Sequence, residues 1–315
     1  MSKKLALVDF DTPIYSAAAV IQESPLIVEH KLSKRKKEFK NKTEWKAFLA
    51  SDKGRGYADD DFNIVQEPRL KEDISHALYI LKNTIANLRK LDFVDDVVLF
   101  VGGKGNYRKD YYPEYKGSRP AKPIAFQECY DYVLRTYKNN VVVCDGEEAE
   151  DQVSIRAHSS YQQARKKRDR DAMDSIVFAI DKDTDQIEGF RYNYNKPELG
   201  VWWVTDTDGW RAFCLQCFKG DSTDDIPGLK QLPEDVKAKY GITTRGVGDA
   251  TAIKLLEGTS TVKEMTQRVI DVWRASYPKD WQKQLNMNAI LLRLRKYDGE
   301  LFDFVEYAKG LGVDV

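Results

Sequence analysis

Four short apolar runs rich in β-branched residues punctuate the chain: LALV at 5–8, VVLFV at 97–101, NVVVC at 140–144 and SIVFAI at 175–180. Each has the length of a buried strand and is too short for an independent helix. Between the first two, residues 70–91 place Ile74, Leu78, Leu81, Ile85 and Leu88 at helical spacing, which predicts an amphipathic helix. Strand alternating with helix predicts an α/β fold with a mostly parallel central sheet. In such sheets the connecting loops converge at the carboxyl ends of the strands, and functional groups gather there. Beyond residue 257 the pattern is helical and carries no separate catalytic motif.

Three of the runs are followed by acid. LALV leads into Asp9 and Asp11; NVVVC into Asp145, Glu147, Glu148, Glu150 and Asp151; SIVFAI into Asp181, Asp183 and Asp185. A single acidic residue after a strand is most often a helix cap or a solvated loop residue. Three clusters at one sheet edge are harder to explain so, because convergent carboxylates repel unless cations neutralise them. Glu148 and Asp151, three apart at a helix start, share a face. Asp181 and Asp183 point the same way if the strand continues through them. Asp221 and Asp224, in KGDSTDDIPG, repeat the spacing of three. None of the three histidines, at 30, 76 and 158, lies beside these clusters, which disfavours zinc. All-oxygen ligation points to Mg²⁺ or Mn²⁺, and several carboxylates around two such ions suit phosphoryl transfer or phosphodiester hydrolysis.

The chain has 315 residues, 42% of them hydrophobic, enough for a sizeable core. Its four cysteines are too few for a disulfide framework, and the pair Cys214 and Cys217 reads as core packing of a helix. MSKKLALVDF contains no signal-like apolar stretch and no run approaches a membrane span. A cytoplasmic protein without membrane contact is expected. The 50 Lys and Arg balance the 50 Asp and Glu, which at first argues against a nucleic-acid partner. Locally the balance breaks down. Residues 31–46 hold eight Lys or Arg against two Glu, and read as a solvated face or a loop. Residues 104–122 hold six against two acids, with Tyr107, Tyr111, Tyr112 and Tyr115 interleaved. Rings that stack on bases beside cations that hold phosphates suit a single strand or a strand end. In RGVGDATAIKLL, Gly246 and Gly248 precede a helix; such a turn lets backbone N–H groups approach a phosphate, although an ordinary tight turn has the same sequence.

As a set, VDFD at 8–11, NYRKDYYPEYKGSR at 106–119, GEEAEDQV at 146–153, AIDKDTDQI at 179–187 and GDSTDDIPG…GVGDATAIKLL at 220–256 resembles the structure-specific 5′-nucleases, the phage 5′ to 3′ exonucleases in particular. The resemblance implies a PIN-like nuclease core at about 1–205, with a helical arch near 104–135. It also implies a helical region at 206–315 with a helix-three-turn-helix at about 208–258 that grips duplex DNA. Asp9, Glu148, Glu150, Asp151, Asp181, Asp183, Asp221 and Asp224 match the family's metal-site carboxylates. Arg108 and Lys116 match the basic residues that contact the scissile phosphate. Tyr115 and Arg119 fall in the same arch segment, and Gly246 and Gly248 match the hairpin on the duplex backbone. The implied activity is 5′ to 3′ exonuclease or flap endonuclease hydrolysis of DNA by a monomer, located in the host cytoplasm if phage-encoded. The implied cofactors are two Mg²⁺ or Mn²⁺ ions, with K⁺ at the helix-three-turn-helix.

The chain departs from the family pattern at several points. Where the family strand matching VVLFV ends in a metal-binding Asp, this chain has Gly102 and Gly103. Glu150 stands where Asp is usual. About sixteen residues at 230–245 replace a short link, and residues 31–66 form an insertion. A protein that binds branched DNA without cutting it, or one with an RNase H-like activity, therefore stands beside the nuclease reading.

Overall fold

The computed structural model describes residues 2–315. Its chain falls into two compact units, one formed by residues up to Asp11, Leu88–Pro120 and Asn140–Val315, the other by Thr12–Asn87 and Ala121–Asn139.

The larger unit is built on a six-stranded sheet. Its strands are β1 (Lys4–Asp9), β7 (Val94–Gly102), β8 (Val141–Cys144), β9 (Ser175–Phe178), β10 (Gly189–Tyr192) and β11 (Val201–Val204), in the order β11-β10-β9-β1-β7-β8. All neighbours are parallel except the β10/β11 pair. The fold is therefore mixed α/β with a mostly parallel sheet, as the PIN-like expectation requires. The register pairs Asp9 with Phe100, Val8 with Phe178 and Gly102 with Cys144. The carboxyl ends of β1, β7, β8 and β9 thus lie along one edge, and the acidic loops all start there.

Helix α6 (Ala149–Lys167) buries Ala149, Val153, Ala157, Tyr161 and Ala164 in a cluster with Leu7, Phe100 and Val177 of the sheet. A second core lies among the helices α7 (Asp206–Lys219), α8 (Glu234–Tyr240), α9 (Asp249–Leu256), α10 (Val262–Ser276), α11 (Trp281–Leu292) and α12 (Phe304–Gly310). Cys214 and Cys217 are both fully buried within it. Residues 230–245 are no simple link, since they contain α8. The segment between β7 and β8 contributes to this unit a four-residue helix, α4 (Arg108–Tyr111), and the turns that follow it.

The smaller unit carries α1 (Asp11–Val20), the short strands β2 (Gln22–Glu23) and β6 (Arg69–Leu70), and a three-stranded antiparallel sheet of β3 (Leu26–His30), β4 (Lys36–Phe39) and β5 (Phe62–Gln66). It also carries the helices α2 (Lys42–Leu49), α3 (Ile74–Arg89) and α5 (Phe126–Thr136). The long helix predicted over 70–91 is α3, which buries Ala77, Leu81, Ile85 and Leu88. The basic run at 31–46 is a solvated face, exposed except at Phe39 and Trp45, and it folds as a turn at 31–35, β4 and the start of α2. Alternate apolar residues of β3, Leu26 and Val28, meet Phe39 and Trp45 in a small separate core. Among the described residues no helix is long and apolar enough to cross a membrane.

Candidate functional site

Asp9 closes β1 and is 8% exposed, with its Oδ1 accepting from the backbone N–H of Asp11 at 3.2 Å. Burial, and then the charge of Asp11, push the Asp9 carboxyl up to about 7, with Glu148 and Asp181 adding to the rise. Glu150, on the first turn of α6, is raised well above the usual carboxylate range by burial and by Asp9, Asp181, Asp183 and Glu148. Asp183 is pushed up to about 7 by burial and by Asp181, Asp221 and Asp224. These shifts arise first from burial and then from neighbouring carboxylates that no cation neutralises.

Asp183, Asp221 and Asp224 each offer a carboxylate oxygen, and the three oxygens lie within 4.8 Å of one another. The loop carrying two of them is fixed by close backbone approach at Gly220 and Gly228. A Cβ on Gly220 would meet the Ile226 carbonyl at 2.3 Å, and one on Gly228 would meet the Gly220 nitrogen at 2.3 Å. Both glycines also have left-handed φ, so the turn depends on them. The strand does not continue through Asp181 and Asp183, because β9 ends at Phe178; instead Asp183 N donates to Asp181 Oδ1 at 3.1 Å in a tight turn.

The basic residues of the segment after β7 are tied to these carboxylates. Lys116 donates to Glu148 and lies 3.4 Å from Asp224, and Arg119 donates to Asp224. The Lys116 N–H donates to the Asp224 carbonyl at 3.0 Å, and Ser118 bonds both Asp225 oxygens, at 2.8 and 2.7 Å. Burial raises Glu148, but Lys116 and Arg108 outweigh it and hold the carboxyl down at about 2. In this state protein cations balance Glu148 and Asp224, while Asp9, Glu150 and Asp183 remain under-compensated.

Three expected residues sit differently from their sequence reading. Arg108 is 1% exposed and does not face solvent. Its guanidinium grips Asp151 in a two-pronged pair at 2.5 and 2.9 Å and also donates to the carbonyls of Leu291 and Arg293. These bonds leave Arg108 no open face for a phosphate. Asp151 is fully buried and has Arg108 as its counter-ion. Tyr115 is 1% exposed and its ring cannot stack on a base; its hydroxyl donates toward Glu148 at 3.1 Å and Asp224 at 3.0 Å. Tyr111, 45% exposed, is the open ring of this segment.

A cavity of about 540 Å³ joins the carboxylates to the glycine hairpin. Arg119, Asp181, Asp183, Asp221, Asp224 and Gly248 line it, as do Lys182 and Lys219, which approach Asp249 at 3.9 and 2.8 Å. At Gly246 and Gly248 a Cβ would meet nothing within 4 Å, and neither has left-handed φ. The protein itself thus does not require glycine at either position, whereas a ligand approaching the backbone would. Gly248 is the N-cap of α9.

Two acidic residues outside the expected set stand beside Gly102 and Gly103, where the resemblance implies an Asp. Asp11 accepts from the Gly102 N–H with both oxygens, and a Cβ at Gly103 would meet Asp145 Oδ1 at 2.2 Å and the Cys144 carbonyl at 2.9 Å. Asp145 Oδ1 also accepts from Lys104 N at 2.7 Å. The signal for both was the acidic pairing directly after β1 and β8.

No family model matches the chain. Over 193 residues it is 24% identical to DNA polymerase I of Bacillus subtilis (strain 168), covering 56% of this chain and 19% of that protein. The chain thus spans about a fifth of that relative. Among solved structures it is similar to bacteriophage T5 D15 protein co-crystallised with metal ions (TM-score 0.42, 15% identity, 98% of each chain). It is also similar to a T5 5′-exonuclease mutant (TM-score 0.36, 14% identity, 75% of this chain and 90% of that one). A T5 D15 flap endonuclease in a pseudo-enzyme-product complex with DNA and metal ions gives a TM-score of 0.36 at 16% identity, covering 75% and 89%. In sequence the chain is similar to DNA polymerase I, and in the order of its motifs it resembles the structure-specific 5′-nucleases.

Proposed function

We propose that this chain is a divalent-metal-dependent 5′-nuclease that hydrolyses DNA phosphodiesters at 5′ ends, nicks or flaps. The observation that carries the reading is the gathering of Asp183, Asp221 and Asp224 within 4.8 Å, in a cavity that extends to Gly248, with Asp9 and Glu150 raised by burial and by the carboxylates around them.

The donor set fits Mg²⁺ or Mn²⁺, since every candidate ligand atom is a carboxylate oxygen. Asp183, Asp221 and Asp224 would hold one ion, and Asp9, Glu148, Glu150 and Asp181 a second. Bound there, the ions would supply Lewis acidity and a water ionised at neutral pH. The chain's own residues do the rest. Lys116 and Arg119, which neutralise Glu148 and Asp224 in the structure, turn to the scissile phosphate when cations relieve those carboxylates, and stabilise the charge that develops on it. Arg108 holds Asp151 and the start of α6 in place, and Tyr115 spaces Glu148 from Asp224. The backbone at Gly246 and Gly248 receives a duplex phosphate at the start of α9. In this reading residues 1–205 supply most of the chemistry, Asp221 and Asp224 complete the metal site from 206–315, and the rest of 206–315 grips the duplex.

The test is a 5′-labelled flap duplex incubated with and without Mg²⁺ or Mn²⁺. The expected result is metal-dependent release of the 5′ segment, leaving a 5′-phosphate on the DNA. No cleavage at high enzyme and Mn²⁺ would sink the reading. The non-cutting alternative rests on Gly102 and Gly103; Asp11 and Asp145, which bring carboxylates to that same place, weigh against it.

A further inference from the structure

We infer that residues 26–66, which include the insertion at 31–66, form a second nucleic-acid site, which holds a short stretch of single-stranded DNA in a cavity of basic and aromatic residues. This rests on the DNA-directed reading above but not on cleavage.

The hairpin of β3 and β4 turns through Lys34, whose φ is left-handed, and packs with β5 and α2 around Phe39 and Trp45. Beside that small core opens a cavity of about 540 Å³, within the range of about 300–1,000 Å³ that holds small ligands. His30, Tyr57 and Phe62 form one part of its wall as a triad of rings. Their centroids lie 5.5 Å (His30 to Tyr57), 5.2 Å (His30 to Phe62) and 5.4 Å (Tyr57 to Phe62) apart, all edge-on to one another. Of these rings Tyr57 is the open one, 47% exposed.

The charge on the same wall has one sign. Arg35, Lys36, Lys37 and Lys53 line the cavity, and no carboxylate does. Lys36 is held by Glu29 at 3.4 Å. Among the described residues Arg35, Lys37 and Lys53 make no ion pair, and the Lys37 ammonium rests over Phe39 and Phe48, at 4.9 and 4.4 Å from the ring centres. A satellite core alone accounts for Phe39 and Trp45. It does not account for cations without counter-ions gathered around the exposed Tyr57 ring. Phosphates would meet the cations and bases would meet the rings, the combination that binds a single strand without reading its sequence.

The experiment uses the full chain in EDTA, so that binding is read without cleavage, and follows the fluorescence anisotropy of a short labelled oligo-dT over a salt series. The triple variant Arg35→Glu, Lys37→Glu, Lys53→Glu is expected to weaken binding by more than about tenfold. It should also flatten the dependence of log K on log salt by about 2, as loss of three phosphate contacts requires. Tyr57→Ala with His30→Ala should weaken binding by about tenfold through lost stacking, with the melting temperature of the exposed Tyr57→Ala single variant unchanged. If the triple variant misfolds, the corresponding Gln triple is measured instead, with the same expectation. Binding of oligo-dT within twofold of the parent in a folded triple variant overturns the inference. So does binding of a labelled oligo-glutamate peptide that the triple variant abolishes while oligo-dT binding persists, which would make the site one for an acidic peptide. Cleavage of a nicked duplex with no single-stranded overhang separates the two proposals. It should be unchanged in these variants, and if the parent itself fails to cut, the nuclease reading falls while the EDTA binding result stands.

Discussion

Asp11 accepts a hydrogen bond from the backbone N–H of Gly102 with both of its carboxylate oxygens, at 3.1 and 3.0 Å. It thereby brings a negative charge from the end of β1 to the end of β7, where the resembled family carries an Asp and this chain carries none. A Cβ at Gly102 would meet Asp11 Oδ2 at 2.8 Å, so the glycine and the neighbouring carboxylate form a matched pair. Asp11→Asn keeps an acceptor for Gly102 and removes the charge. It is expected to lower Mn²⁺ affinity by about 10- to 100-fold, the usual effect of losing a group that supports a metal site. Calorimetric titration checks this, and an unchanged affinity would place Asp11 in a purely structural role.

Restoring the family's residue by Gly103→Asp should fail to raise activity and should lower the melting temperature. The added Cβ meets Asp145 Oδ1 at 2.2 Å and the Cys144 carbonyl at 2.9 Å, and the second contact, with backbone, cannot swing away. Adding Asp145→Ala should recover part of the stability. Thermal melts of the single and double variants decide it.

The metal-free protein should lose stability as pH rises toward neutrality. Asp9 and Asp183 have folded-state values raised to about 7, so between the unfolded value near 4 and pH 7 the folded state binds more protons than the unfolded one, and stability falls as pH rises through this window. Glu148 is depressed to about 2. Its contribution is present above the unfolded value and is lost only as pH falls toward 2, so it does not oppose the trend between pH 5 and 7. Melting curves in EDTA should fall across that range, and Mg²⁺ or Mn²⁺ should reverse the fall at pH 7 and above.

Arg108→Met should cost about 3–5 kcal/mol, because it leaves the fully buried Asp151 without its counter-ion. A loss of cleavage with unchanged stability would instead make Arg108 a direct phosphate contact. Lys116→Ala should slow cleavage by about 10²–10³-fold with Mn²⁺ affinity kept or raised, since Lys116 donates to Glu148, a proposed metal ligand. Single-turnover cleavage and calorimetry on the two variants separate these roles.

The apolar runs predicted four strands of the central sheet, and the acids that follow them predicted which edge would gather the carboxylates, because strand direction in a parallel sheet sends every such loop to one side. The signals failed where the apolar run is broken or where pairing decides the outcome. β10 reads GFRY, with a glycine and an arginine among its four residues, and β4 reads KKEF, an almost wholly charged strand that only its pairing with β3 makes possible. Charge type was legible, but partnership was not. Arg108 and Tyr115 carry side chains suited to DNA, yet the first is used on Asp151 and the second on Glu148 and Asp224. Nothing in local sequence distinguishes a cation that waits for phosphate from one already paired. The net charge of zero likewise resolves into an acidic site and separate basic surfaces.

The most direct measurement is the anomalous signal of Mn²⁺ soaked into crystals of the protein. A peak is expected within coordinating distance of Asp183, Asp221 and Asp224, and a second near Asp9, Glu150 and Asp181, with Lys116 withdrawn from Glu148. Crystals that hold no Mn²⁺ at these carboxylates, with Lys116 and Arg119 still paired to Glu148 and Asp224, would contradict it.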